Sequence, residues 1–153
     1  MAVRVAERAA TVDERRRAFE IENLLASYDG LWQLSRDMAR THSADPAIAR
    51  STEHGYAGAR LPDGADIEPA DLAARSQAVK TIRLILDDEV RNLALEAQSA
   101  MTRVSTLGLV AHMTQRGPVS EEEGQAAFGA ASNAVDAAMN AISDRARMLL
   151  LEQ

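Results

Sequence analysis

The side chains with the widest chemical reach are three histidines, His42, His54 and His112, and they share no metal-ligand spacing. A helical di-metal centre needs Glu-x-x-His pairs, and the sequence contains none; its one adjacent pair is Glu53-His54. There is no cysteine, so no thiolate ligand or nucleophile exists. No glycine-rich phosphate loop and no nucleophile elbow occur. The Val110-Ala111-His112-Met113-Thr114 stretch reads as an ordinary helix end. Glu121-Glu122-Glu123 resembles a carboxylate cluster, but it follows Ser120, and acids there serve the positive end of a helix dipole. Asp13-Glu14-Arg15-Arg16-Arg17 mixes both signs and reads as a solvated helix turn. The expectation is therefore a protein that is not an enzyme, with no catalytic residue, cofactor or metal ligand.

One grouping has the character of a small-molecule site. Trp32 and Tyr28 are four residues apart and share a helix face, while His54 and Tyr56 lie among small residues in a connecting segment. These four residues are the candidate ligand pocket. For the two aromatics core packing is the preferred reading, since both fall in the apolar columns of their helix.

The elements that must position these residues follow from apolar spacing. Leu72, Val79, Leu86, Leu93, Ala100 and Leu107 recur every seven residues, and Val90, Ala97, Val104 and Ala111 follow four behind. Such 4-3 spacing keeps one helix face against a partner. It predicts a single long helix over 69–116, opened by Glu68-Pro69 and stopped by Gly117-Pro118. Ile85 and Met101 lie off that seam and predict burial on a second side. Arg75, Ile82, Glu89, Glu96, Arg103 and Val110 form a charged flanking column.

An earlier helix is expected over 11–43, started by the capping-box spacing Thr11-x-x-Glu14. Its apolar columns (Leu24, Leu31, Met38; Leu25, Trp32, Ala39; Ile21, Tyr28) make a face wide enough for two neighbours. Gly30 inside it marks a close approach or a slight bend. A last helix is expected over 120–151, capped by Ser120 and carrying Phe128, Val135, Ile142 and Leu149 at seven-residue intervals. Residues 1–10 are expected to be a mobile arm. Residues 44–68, with Gly55, Gly58, Pro62 and Gly64, are expected to be a long loop.

The predicted fold is all-α: one domain over 11–153, an elongated antiparallel bundle of three long helices with coiled-coil-like packing. An aromatic content of 3% requires an aliphatic core rich in Ala and Met. The net charge of −6 argues against a nucleic-acid partner. No apolar run reaches the roughly 18 residues of a membrane span, and residues 1–10 lack a signal-peptide pattern. The expected location is cytoplasmic, with export by a route without a cleaved signal as the alternative.

Met148-Leu149-Leu150-Leu151 is apolar on more sides than one seam can cover. With Leu107, Leu109 and Val110 it forms the expected interaction surface, for a homo-oligomer or another protein partner. The functional expectation is a structural or interaction protein acting as an oligomeric bundle, of the kind found among secretion, flagellar and phage-type assemblies. The alternative is a sensor or carrier that binds a small molecule near Trp32.

Overall fold

The computed structural model describes residues 2–51, 69–116 and 119–151; of residues 2–7, 9, 41, 43–51, 69–75, 108, 109 and 112 only the backbone is described. All regular structure among these residues is helical, with no strand. The helices are α1 (Ala2–Ser51), α2 (Pro69–Arg83), α3 (Asp88–Met113) and α4 (Glu121–Leu151).

Two boundaries of the first helix differ from the sequence expectation. The helix expected from Thr11 begins at Ala2, so the arm expected over 1–10 continues α1 and Thr11 lies inside a helix. At the other end α1 runs through Asp45-Pro46 to Ser51. The rest of the expected loop, 52–68, lies outside the described residues. At 1.5 Å per residue, the 50 residues of α1 span about 75 Å. Residues 10–16 of α1 are all exposed, and burial begins at Glu20.

The larger correction concerns the single helix expected over 69–116. It is broken at 84–87 into α2 and α3, which gives four described helices instead of three. The break contains neither Gly nor Pro. The end of α2 tightens, with the Leu84 N–H donating to the Thr81 carbonyl at 3.0 Å and the Ile85 N–H to the Ile82 carbonyl at 3.2 Å. Asp87 then caps α3 by accepting the Val90 N–H on Oδ1 at 3.1 Å. Lys80 and Arg83 sit at the negative end of α2, and Asp88 and Glu89 at the positive end of α3. Ile85 is buried at the corner, while Leu84 and Leu86 are exposed.

The pairings across helices give the chain's course. Glu20 meets Arg145 and His42 stacks on Phe128, so α1 and α4 run in opposite directions. Asn23 meets Thr81 and Gly30 meets Ala78, so α2 runs back along α1. Asp87 lies near Arg145 beside Glu20, while Met101 shares a groove with Leu34 and Met38, so α3 runs the same way as α1. The break at 84–87 is thus a reversal of chain direction.

Burial follows from this course. The core joins Leu24, Leu31 and Met38 of α1, Ile82 of α2, Val90, Ala94, Ala97, Met101 and Val104 of α3, and Ala131, Val135, Ala138, Ile142 and Leu149 of α4. In α3 the trailing column carries the core, together with Ala94 and Met101. The leading column is peripheral: Leu93, Ala100 and Leu107 are half-buried and Leu86 is exposed. The charged flanking column divides at the break. Ile82 is fully buried, whereas Glu89, Glu96, Arg103 and Val110 are exposed.

The α3–α4 turn is closed by its own geometry. Gln115 takes the left-handed conformation at φ 52°. The Arg116 N–H donates to the Ala111 carbonyl at 3.1 Å. The left-handed position thus falls two residues before Gly117, which lies outside the described residues. Ser120 caps α4, its Oγ accepting the Glu123 N–H at 3.1 Å. The Glu123 carboxylate accepts from Arg116 at 2.6 Å, tying the two helix ends together.

Candidate interaction surfaces

The polar groups that converge inside the fold belong to the reversal at 84–87. Arg145 Nε donates to Glu20 Oε1 at 2.8 Å and lies 3.8 Å from Asp87 Oδ2. Asn23 Nδ2 donates to the Thr81 carbonyl at 2.9 Å, and Arg91 Nη1 donates to the Ile85 carbonyl at 2.8 Å. The last two bonds end on backbone carbonyls of the reversal, that of Thr81 adding to the bond it accepts from the Leu84 N–H. The set contains no nucleophile and no histidine, and its chemistry is to hold a corner. Among the described residues no group of three or more His, Cys, Asp or Glu could hold a metal ion. No described helix is long and apolar enough to cross a membrane.

The residues expected to form one interaction surface are divided between two ends of the molecule. Leu107 is half-buried against Ala111 and Val119, and Val110 is exposed, both where α3 gives way to α4. The side chain of Leu109 lies outside the described residues. Met148, Leu150 and Leu151 lie at the other end, beside the Glu20–Arg145 pair. There Leu149 is 5% exposed and belongs to the core, whereas Leu150 is 53% and Leu151 79% exposed. Exposed Phe19, Leu84 and Leu86 belong to this same end of the fold.

Two of the four residues of the expected ligand pocket, Tyr28 and Trp32, belong to the described residues. His54 and Tyr56 lie outside them. Tyr28 is half-buried against the core, and Trp32 is 51% exposed. One groove, about 270 Å³, is lined by Leu34, Met38, Val79 and Met101, with Asp37, Gln98 and three α3 hydroxyls at its edge. Neither Tyr28 nor Trp32 lines it. The hydroxyls of Thr102, Ser105 and Thr106 donate back to the carbonyls of Gln98, Met101 and Thr102.

What the sequence pattern undervalued is the outer side of α1. Its wide apolar face splits into two seams. Leu24, Leu31 and Met38 are buried within the chain. Ile21, Leu25, Tyr28, Trp32, Ser35 and Ala39 follow one another at 4-3-4-3-4 spacing, so they form a second continuous stripe. Ile21 and Tyr28 lean on the core, but Leu25 is 56% exposed beside Trp32. Within the chain α1 packs against α2, α3 and α4, and the second stripe lies beside that buried face. Comparison with protein-family profiles, with curated proteins and with solved structures gives no match to this chain.

Proposed function

We propose that this chain is a non-enzymatic assembly protein that associates with itself through the outer seam of α1. The observation that carries the reading is a second heptad-spaced stripe whose large members, Leu25 and Trp32, are half exposed. Fully burying a large apolar side chain stabilises by roughly 1.5–3 kcal/mol, and Trp and Tyr are the residues around which interface energy concentrates. The sparse aromatic content sharpens the point. The one tryptophan of the chain sits on this stripe and not in the core. A catalytic set is missing from the sequence, which fits a role carried by surface. An oligomeric bundle of the sort that serves secretion, flagellar or phage-type assemblies is the functional class this supports.

The test is molar mass by size exclusion with light scattering over a concentration series. The wild-type chain is expected as a multiple of 16.5 kDa, and the Leu25→Glu/Trp32→Glu variant as a monomer at the concentrations where the wild-type chain is a dimer, with unchanged helical circular dichroism. A wild-type monomer at every concentration refutes the reading, as does a variant that associates as before.

A second reading, a carrier or sensor of a small molecule, is better placed in the Leu34–Met38–Met101 groove than at Trp32. Its volume of about 270 Å³ falls below the roughly 300–1,000 Å³ usual for ligand pockets, and the larger hollows on α3, about 470 Å³, and on α1, about 340 Å³, are lined almost wholly by polar side chains. The assembly reading is therefore preferred.

A further inference from the structure

We infer that the two copies meet antiparallel on the α1 seam, about a two-fold axis near Asp29. This rests on the self-association proposed above and adds its orientation and pairings. The flank of the outer seam carries Glu22, Asp29 and Arg36 at seven-residue intervals, and all three are exposed. The inner flank is occupied by Leu24, Leu31 and Met38, so this outer flank is the one free to choose a partner's direction. Its charge changes sign along its length.

A parallel two-fold pair sets this flank against the partner's inner flank, Leu24, Leu31 and Met38, which that chain's own fold already covers, so Glu22, Asp29 and Arg36 meet no charged group of the partner's stripe. The antiparallel pair sets Glu22 of each copy against Arg36 of the other and leaves one like pair, Asp29 with Asp29. Only the antiparallel pair brings these charges together, as two attractions and one repulsion. The stripe agrees with the charges. In the antiparallel register Tyr28 lies next to Trp32 of the other copy, twice, in reach of an aromatic pair. Leu25 then faces Ser35, and Ile21 faces Ala39, so large side chains meet small ones at each layer. The interface is isologous and closes on itself.

The chain has no cysteine, so single introduced thiols report the geometry without background. With a short bismaleimide, Asp29→Cys is expected to cross-link to itself. Glu22→Cys is expected not to, yet to cross-link to Arg36→Cys when the two chains are mixed. Charge swaps give an independent reading. Glu22→Arg alone and Arg36→Glu alone are each expected to weaken association about tenfold, because each turns two attractions into repulsions. Mixing the two variants restores both attractions, so the mixture should form heterodimers at wild-type strength. Self-cross-linking of Glu22→Cys overturns the antiparallel arrangement, and so do swaps that leave association unchanged. In either case, loss of association in Leu25→Glu/Trp32→Glu would still uphold the seam as the contact. A monomeric wild type removes both.

Discussion

Ser27 and Gly30 lie three residues apart on the face of α1 that meets α2, and they carry opposite consequences for substitution. A methyl group on Gly30 would lie 2.7 Å from the Ala78 Cβ and 3.2 Å from its Cα. Because the second atom is backbone, α2 itself has to move. Helix propensity alone favours Ala over Gly by about 1 kcal/mol, while overpacking costs about 1–3 kcal/mol. Gly30→Ala is therefore expected to lower the urea-unfolding free energy by about 1 kcal/mol, and Gly30→Ala/Ala78→Gly to recover it. A more stable single variant would refute the close approach. Ser27 is fully buried, and among the described residues its hydroxyl has no hydrogen-bond partner. Removing a buried unpartnered hydroxyl without changing shape is neutral to favourable, so Ser27→Ala should gain up to about 1 kcal/mol in the same assay. The glycine was legible in the sequence, since a lone Gly inside a helical pattern signals contact or bend. The serine was not, because a polar side chain adds no apolar signal that would place it with Leu24 and Leu31 on the buried face.

The reversal between α2 and α3 shows how an apolar period can span a break in the helix that carries it. Leu72, Val79, Leu86 and Leu93 keep their seven-residue spacing straight through 84–87, and no Gly or Pro interrupts them. The informative signal was electrostatic: Lys80 and Arg83 before the break, then Asp87-Asp88-Glu89 after it, are the marks of one helix ending and another beginning. Asp87 does two things here, capping α3 through Val90 and lying within 3.8 Å of Arg145. The substitutions separate them. Asp87→Asn keeps an N-cap acceptor and removes the charge, so it is expected to cost less than 1 kcal/mol. Asp87→Ala loses the cap as well and is expected to cost about 1–2 kcal/mol. Equal losses in thermal unfolding would mean that the cap contributes nothing to the corner. The last helix was easier to read because its start coincides with Ser120 and its apolar period meets no competing cap until Leu151.

At the scale of the whole molecule, the two apolar regions have different geometry and should set different levels of assembly. A two-fold contact along α1 is used up once two copies have met. The end formed by Leu84, Leu86, Met148, Leu150 and Leu151 remains exposed, since it lies at the reversal and not on the outer seam. In an antiparallel pair the two such ends point to opposite extremes, so end-to-end contact would join pairs into a row. Sequence reasoning placed the partner surface at this C-terminal run because four consecutive apolar residues cannot all face one seam. It did not separate Leu149, which the fold buries, from Leu150 and Leu151, which it exposes. It also credited the core with Trp32, because periodicity reports a face and not what covers it. Leu150→Glu/Leu151→Glu tests the division of labour. The wild-type chain is expected to grow past the dimer as concentration rises. The variant is expected to stop at the dimer, with the Trp32 emission still shifted to the blue relative to Leu25→Glu. If the variant is instead a monomer, the C-terminal end is the primary contact and the α1 seam is secondary. If it still grows, the row is built by some other surface than this end.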